Sequence, residues 1–310
     1  MINRTMVRTR VMQTLFAYYT DGEKTPSQAR KELVKSFSDT YNLYMMLLAL
    51  ADELTTYAQN QIAEQEQRAK ITHQKFAPNR RFADNSFAAQ VFQNRTLRRV
   101  MDAGHLTWDA GLNAMPALFK KLQEQYYYQL FMEKEQPTYE EEKELWKKIY
   151  SMLLPDNEDL ITALEEMEVC LDQQNWETDL NVVLSYVVKT IKRFSQDNGA
   201  DQPLLEMFDS EDELQFAQQL LEQTIAHKPE YDKAVEEHLK NWDMERIPLM
   251  DRVLLVMALT ELNQFPEIAH QVSLNEYIEL AKEYSSDKSY VFINHNFINI
   301  FFARIEYIFF

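Results

Sequence analysis

Three arginines near the N-terminus form the first group of side chains whose types and spacing suggest chemistry. Arg4 and Arg8 are four residues apart, which places them on the same side of a helix, and Arg10 lies on a neighbouring flank. No acidic residue precedes Asp21. Because cations at a helix N-terminus oppose the helix dipole, this arrangement indicates another role, such as holding phosphate groups. A solvated, charged start of a helix is the alternative interpretation.

A second basic region, residues 68–99, combines cations with aromatic rings. That composition is typical of a surface for single-stranded nucleic acid. We favour a linker whose phenylalanines pack into the helical body and whose arginines pair with its many carboxylates, because Ala77-Pro78-Asn79 has the composition of a loop. The region contains one acid, Asp84, the basic residues Arg68, Lys70, Lys75, Arg80, Arg81, Arg95, Arg98 and Arg99, and the phenylalanines Phe76, Phe82, Phe87 and Phe92.

Patterns for metal binding and catalysis are sparse. Di-iron bundle proteins carry paired Glu-x-x-His motifs, and here Glu267-Ile-Ala-His270 fits that pattern once. The six histidines show no ligand spacing. The sequence has no HExxH motif, no GxSxG motif and no Gly-rich phosphate loop. We therefore predict no enzyme activity, no metal and no cofactor.

The composition predicts an acidic, helical protein. Only four of the 310 residues are glycine and 45% are hydrophobic, which favours helices around a sizeable core. The net charge of -17 disfavours non-specific nucleic-acid binding, so a nucleic-acid site would have to be a local basic patch. With Cys170 as the single cysteine, no disulfide can form within the chain, which fits a cytoplasmic location. No stretch is predicted to span a membrane.

Helical periodicity is predicted to position these residues. The first helix covers residues 1–20, and the strongest one covers Leu249–Leu262, which is apolar on all sides and so belongs in the middle of a bundle. Ser273-Leu-Asn-Glu276 predicts a capping box at the start of the helix that follows. A break at residues 197–201 predicts a domain boundary. Further helices are predicted over residues 27–67, 110–131, 138–154, 155–169, 176–194, 210–227 and 229–242.

Four segments match, in order and spacing, the motifs of one known family. Residues 8–16 (RTRVMQTLF) correspond to a first helix of the form RxxxxQxLY. Residues 251–262 (DRVLLVMALTEL) correspond to (D/E)(R/K)xxLRxxxxEL. Residues 275–282 (NEYIELAK) correspond to NEx(V/I)ELAK, and residues 288–294 (KSYVFIN) to KSGxF(V/I)NG. On these motifs the chain resembles the NusB family of transcription antitermination factors.

The resemblance implies an all-α fold of helical bundles with an added helical insertion. Residues 1–22 would form a basic helix of the core, residues 23–200 the insertion, and residues 201–310 the C-terminal bundle. The implied function is an RNA-binding transcription antitermination factor. Its implied partners are boxA-like sequences of nascent ribosomal RNA transcripts, a NusE-type small-subunit ribosomal protein and the RNA polymerase elongation complex. The acidic body suits a basic partner of ribosomal type.

Carried over residue by residue, the resemblance implies two RNA-binding groups and one partner-binding group. Phe16 stands where the family has tyrosine. Arginine forks suit the first group because they hold phosphates with two parallel hydrogen bonds. The first group consists of Arg4, Arg8, Arg10, Gln13 and Phe16, the second of Lys288, Phe292 and Asn294, and the partner-binding group of Glu276 and Glu279.

Two further functions are weighed against this one. After Asn294 the family continues with Gly, whereas this chain has His295, and Tyr290 also replaces a family glycine. The departure motivates a helical protein–protein interaction scaffold that has lost RNA binding. A ribosomal RNA methyltransferase carrying this helical domain would need a Gly-rich cofactor domain, which is absent from this sequence.

Overall fold

The computed structural model of the 310-residue chain describes residues 1–167, 176–208, 210–238 and 247–285. The all-α prediction is confirmed: these ranges contain no strand, and one isolated bridge joins Ile2 to Phe208. Within them, every helix is too short or too polar to cross a lipid bilayer. The helices are α1 (Arg4–Thr20), α2 (Pro26–Thr72), α3 (Ser86–Gln93), α4 (Arg95–Gly104), α5 (Met115–Gln123), α6 (Tyr126–Met132), α7 (Tyr139–Lys148), α8 (Glu158–Glu166), α9 (Trp176–Arg193), α10 (Glu211–His238), α11 (Leu249–Gln264) and α12 (His270–Tyr284).

The chain divides into two compact units. The terminal unit contains residues 1–37 and 207–310, and the middle unit contains Ser38–Glu206. The terminal unit is therefore assembled from two separate stretches of sequence. Helix α1, near the N-terminus, packs against α10 and α11, which lie more than 190 residues later in the chain. The division into a first helix, an insertion at 23–200 and a C-terminal bundle remains a prediction.

Helix α11 lies at the centre of the terminal unit, where it contacts α1, α10 and α12. All of its residues from Val253 to Glu261 are buried. A helix that is apolar on all sides is stable only when neighbours bury those sides, and α1, α10 and α12 pack against α11. The buried helix predicted over Leu249–Leu262 is confirmed, with its observed end at Gln264.

Helix α10 corrects one expectation. Separate helices were expected over residues 210–227 and 229–242, but α10 runs through Pro229 as a single helix. Proline removes one hydrogen bond from a helix interior, so other contacts must hold the two halves in line. Buried side chains occur on both sides of the proline, including Leu221 and Thr224 before it and Tyr231 and Val235 after it. Their burial provides that support.

The start of α12 corrects a second expectation. The capping box predicted at Ser273 and Glu276 is wrong, because α12 begins one turn earlier, at His270. Ser273 is a buried residue inside the helix, and its hydroxyl bonds Glu261 of α11. Glu276 accepts a hydrogen bond from the Thr5 hydroxyl. Both side chains therefore make tertiary contacts in place of a helix cap.

Two predictions for the helices of the middle unit have opposite outcomes. The capping box at the start of α7 is confirmed, since the Thr138 hydroxyl accepts from the N–H of Glu141 at 3.3 Å and the Glu141 carboxylate accepts from the N–H of Thr138 at 2.8 Å. The single helix predicted over residues 110–131 is wrong, because a 3-10 turn (Ala110–Ala114), α5 and α6 occupy that stretch. Pro116 lies in the first turn of α5, where its missing N–H would have no helical partner in any case.

The core of the middle unit is aromatic. Trp146 of α7 is fully buried, and its ring centroid lies 5.4 Å from that of Phe82, 6.4 Å from that of Phe87 and 6.2 Å from that of Tyr150. Its indole N–H donates to Asn85 Oδ1 at 3.1 Å. Aromatic pairs add about 0.5–1.5 kcal/mol each beyond their burial, so this cluster helps to fix α3 against α7.

Residues 68–99 were expected to form a linker, but they contain the end of α2, all of α3 and the start of α4, so the linker part of that interpretation is wrong. Phe82 and Phe87 are buried, whereas Phe76 is 40% exposed and Phe92 is 49% exposed. Several arginines pair with carboxylates, as the interpretation favoured from the sequence requires. The ion pairs are Arg80–Asp84, Arg95–Asp201 and Arg98–Asp52, with N–O distances of 2.9, 2.8 and 3.1 Å.

Candidate nucleic-acid interface

Helix α1 carries the five predicted RNA-binding residues of the N-terminus. Its cap, Asn3, accepts a hydrogen bond from the N–H of Met6 at 2.9 Å, which satisfies one of the free donors at the helix start. Arg8 and Arg10 are buried together with the apolar face of the helix. That apolar face consists of Met6, Val7, Val11, Met12 and Leu15.

The guanidinium of Arg8 forms a two-pronged ion pair with Glu261 of α11. Its Nε donates to Oε2 at 2.8 Å, and its Nη2 donates to Oε1 at 2.6 Å. The two side chains are 2% and 0% exposed. Arginine suits this position because its planar fork matches both carboxylate oxygens at once. The pair connects α1 to the central helix of the terminal unit.

Two donors from α12 complete the surroundings of the Glu261 carboxylate. The Ser273 hydroxyl donates to Oε1 at 2.6 Å, and the Tyr277 hydroxyl donates to Oε2 at 2.9 Å. Four hydrogen bonds thus replace the water that a buried carboxylate loses. Burial by itself lowers the pKa of the Arg8 guanidinium, but the hydrogen bond and charge of Glu261 raise that pKa overall. Burial, followed by the Glu261 charge, raises the pKa of Tyr277 well above its usual value.

The enclosed Arg8 supports helix α1 and does not face solvent. Its Nη1 lies 3.6 Å from Glu276 Oε2, and its guanidinium carbon lies 5.5 Å from the centroid of the Phe216 ring. A phosphate could reach this group only by breaking the network around Glu261. In this structure Arg8 supports the helix that carries the other arginines, and RNA contact by Arg8 remains a prediction.

Of the three arginines of α1, Arg4 reaches solvent. Its side chain is 38% exposed, and its Nε lies 3.5 Å from Glu213 Oε1. Its guanidinium carbon lies 4.7 Å from the centroid of the Phe216 ring. A ring in this position holds the cation by a cation–π contact and orients it. Because the single ion pair is long and partly exposed, a phosphate can compete with Glu213 for this guanidinium.

Arg10, Gln13 and Phe16 lie further along α1. Arg10 is 3% exposed, and its Nη1 donates to Gln13 Oε1 at 3.0 Å. Gln13 is partly exposed, and Phe16 is 36% exposed. Burial raises the pKa of the nearby Tyr284 to about 12, although Arg10 and Gln13 act in the opposite direction. Gln13 and Phe16 are thus the members of this group that offer an amide and a ring to a ligand, and their roles in RNA binding remain predictions.

The two predicted partner-binding acids have different surroundings. Glu276 is 28% exposed and accepts a hydrogen bond from the Thr5 hydroxyl at 2.8 Å, so it forms part of the contact between α1 and α12. Glu279 is 67% exposed and lies 2.6 Å from the ammonium group of Lys282. Glu279 is therefore the more accessible of the two, and partner binding remains a prediction for both.

The second predicted RNA-binding group consists of Lys288, Phe292 and Asn294, and it lies outside the described residues. Its role remains a prediction from the resemblance. In the described part of the chain, no group of three or more His, Cys, Asp or Glu residues is arranged to hold a metal ion.

Sequence reasoning missed the residues that hold Arg8. Glu261 was visible as an acid on the apolar helix α11, and a charge in such a place requires a partner. Ser273 and Tyr277 are four residues apart and so share one face of α12, but Ser273 was assigned to a helix cap. An acid on an apolar helix is thus the sequence feature that could have revealed this network.

Comparison with known proteins points to one family. A family model described as "NusB family" matches residues 180–295. Three relatives, each named transcription antitermination protein NusB, come from Salinibacter ruber, Listeria welshimeri and Myxococcus xanthus. They are 44% identical over 79 residues, 40% over 94 residues and 36% over 83 residues, respectively. No solved structure is a significant match to this chain.

The matched segments cover part of each protein. They span 26%, 30% and 27% of this chain, in the same order of relatives. They span 49% of the Salinibacter ruber protein, 72% of the Listeria welshimeri protein and 59% of the Myxococcus xanthus protein. The residues matched by the family model include α10, α11 and α12, which lie in the terminal unit with α1 and the start of α2.

Proposed function

Because this chain belongs to the NusB family, we propose that it is an RNA-binding transcription antitermination factor. On this proposal it acts with a NusE-type small-subunit ribosomal protein on boxA-like sequences of nascent ribosomal RNA transcripts. It would do so as part of the RNA polymerase elongation complex. The antitermination role is supported by the names of its relatives, and the partners are implied by the motifs that the chain shares with the family.

The observation that carries the proposal is the buried ion pair of Arg8 and Glu261. It joins α1, which precedes the residues matched by the family model, to α11, which lies among them. The arginine-bearing helix and the family-matched helices are therefore held in one folded unit. Arg4, Gln13 and Phe16 are then presented on a rigid element, as a specific binding site requires.

The distribution of charge supports the proposed partners. The chain carries a net charge of -17, and an acidic body repels nucleic acid except where cations are concentrated. RNA would bind along α1, with the exposed Arg4 contacting phosphate and Phe16 stacking on a base. Exposed acids such as Glu279 would then bind a basic ribosomal protein, because complementary charge steers association.

A helical interaction scaffold without RNA binding is the second candidate. Burial of Arg8 and Arg10 favours it, because their burial leaves Arg4 as the exposed guanidinium of α1. Electrostatic affinity for nucleic acid grows with the number of phosphates that cations neutralise. Direct measurement of RNA binding separates the two candidates.

Replacing Arg4 with alanine is expected to weaken binding to a boxA-like RNA strand by about 1.5–3 kcal/mol, the usual contribution of a hydrogen bond to a charged group. The reason is the loss of one phosphate contact, which should also make the slope of log affinity against log salt shallower by about 0.7. Fluorescence anisotropy with labelled RNA, in the presence of the NusE-type partner, measures both quantities.

Arg30→Ala provides the matched control for this experiment. Arg30 lies in the same unit, its side chain is 51% exposed, and it pairs with Glu222 of α10 at 3.0 Å, much as Arg4 pairs with Glu213. The control is expected to bind RNA as the wild type does. Equal losses from the two variants would show a general charge effect instead of a site at Arg4. If the wild type binds no RNA, the scaffold is the better explanation.

A further inference from the structure

The C-terminal end of α2, in the middle unit, carries two lysines that form no ion pair with the acids of the described chain. Residues 67–83 contain no Asp or Glu. Lys70 and Lys75 are exposed, and within the described part of the chain neither forms an ion pair. Arg68 is 78% exposed and lies 3.9 Å from Glu64, at the outer limit of an ion pair. In a chain with a net charge of -17, two exposed lysines without an ion pair beside a weakly paired arginine need an explanation.

A defined turn lies between Lys70 and Lys75. The N–H of His73 donates to the carbonyl of Lys70 at 3.4 Å, and the N–H of Gln74 donates to the carbonyl of Ala69 at 3.0 Å. His73 has a φ of 53°. These two bonds around a left-handed residue form the Schellman motif that ends many helices. The turn fixes the path of the chain, so that Lys75 follows directly beside the helix end.

Two apolar side chains remain exposed among the cations. Ile71 is 71% exposed and Phe76 is 40% exposed, whereas Phe82 and Phe87 of the same basic region are buried. An exposed aromatic ring between cations gives a flexible strand both a surface for stacking and counter-charges for its phosphates. Phe76 is thus a phenylalanine of this region that packing into the folded body does not explain.

We propose that Lys70, Ile71, Lys75 and Phe76, here called the α2 tip, form a second contact surface for single-stranded RNA. The two ammonium groups bind phosphates, and the Phe76 ring stacks on a base. RNA is favoured over an acidic protein because stacking uses the exposed ring as well as the charges. The inference rests on the RNA-binding function proposed above and extends it to the middle unit.

The test compares the triple variant Lys70→Ala/Lys75→Ala/Phe76→Ala with a matched triple variant, Lys120→Ala/Lys189→Ala/Tyr126→Ala. Lys120 lies in the last turn of α5, as Lys70 lies in the last turn of α2, so both variants lose a cation that favours a helix end. Lys189 is exposed and Tyr126 is 72% exposed in the same unit. All substituted side chains are on the surface, and circular dichroism melting of both variants checks that they fold.

The readout is fluorescence anisotropy with a boxA-like strand that carries unstructured single-stranded flanks. The tip variant is expected to bind at least about tenfold more weakly than the matched variant, because it loses a stacked base and two phosphate contacts. Its slope of log affinity against log salt is expected to be shallower by about 1.4, which is about 0.7 for each lost phosphate contact. Ultraviolet crosslinking followed by mass spectrometry is expected to place RNA on the peptide that contains Phe76.

The outcomes separate this inference from the proposed function. If Arg4→Ala weakens RNA binding while the two triple variants behave alike, the α2 tip is not an RNA contact and the proposed function stands. If the tip variant is weakened and Arg4→Ala is not, the inference stands and the α1 site fails. If the wild type binds no RNA, both fail. If a polyglutamate peptide added before irradiation suppresses the crosslink at Phe76 as well as unlabelled RNA of equal charge does, the surface recognises acidic proteins, and the inference is wrong.

Discussion

Replacing Glu261 with alanine is expected to lower the free energy of unfolding of the terminal unit by about 3–5 kcal/mol, because it leaves a buried charge without its partner. Arg8 is 2% exposed, so its guanidinium would find little water in place of the lost carboxylate. The hydroxyls of Ser273 and Tyr277 would lose their acceptor at the same time. Hydrogen exchange of peptides from α11 and α12, together with denaturant unfolding, measures the loss.

Glu279→Ala is the matched control for Glu261→Ala. Glu279 is 67% exposed and pairs with Lys282, and exposed pairs of this kind contribute about 0–1 kcal/mol. A loss from Glu261→Ala no larger than that of the control would mean that Arg8 and Glu261 do not hold α1 in place.

The double variant Arg8→Met/Glu261→Leu addresses the origin of the loss. Replacing both charges with apolar side chains removes the stranded cation, and buried pairs replaced in this way often lose little stability. We therefore expect the double variant to be more stable than Glu261→Ala. A double variant at least as unstable as the single one would show that the geometry of the ion pair matters more than the cost of an isolated charge.

Replacing Trp146 with alanine is expected to lower the free energy of unfolding of the middle unit by about 3–5 kcal/mol, because the core cannot close the cavity completely. Trp146 is fully buried among Phe82, Phe87 and Tyr150. Its indole N–H is also the donor to Asn85 Oδ1. Denaturant unfolding, followed by hydrogen exchange of peptides from α3 and α7, measures the effect.

Tyr126→Ala serves as the control for Trp146→Ala, since it removes an aromatic side chain that is 72% exposed. Surface substitutions of this kind usually change stability by no more than about 0.5 kcal/mol. A Trp146 variant that loses no more than the control would contradict the assignment of these rings as the core of the middle unit.

The elements that the sequence predicted well are those with strong local patterns. Helix α11 was predicted because almost every residue from Leu249 to Leu262 is apolar, and the capping box at Thr138 because its four residues are adjacent. The errors at Pro229 and Ser273 have the opposite origin. Buried contacts carry α10 through its proline, and a carboxylate on another helix captures the Ser273 hydroxyl. Such tertiary contacts override local signals that were present in the sequence.

The candidate site was predictable in its position but not in its geometry. The arginines of α1 were correctly placed on one helix, yet nothing local indicates that Arg8 would be bound by a residue 253 positions away. The same limit applies to residues 68–99. Composition cannot distinguish Phe82, which enters the aromatic core, from Phe76, which remains on the surface. Only the fold determines which member of a basic and aromatic region is available to a ligand.

The most direct test of the proposed function is the binding of the wild-type protein to two labelled RNAs. One strand contains a boxA-like sequence and the other is a scrambled strand of the same composition, and both are measured by fluorescence anisotropy with the NusE-type partner present. An antitermination factor of this family is expected to prefer the boxA-like strand by at least about tenfold, or about 1.4 kcal/mol, at physiological salt. Equal affinity for both strands, or no binding to either, would contradict the proposed function.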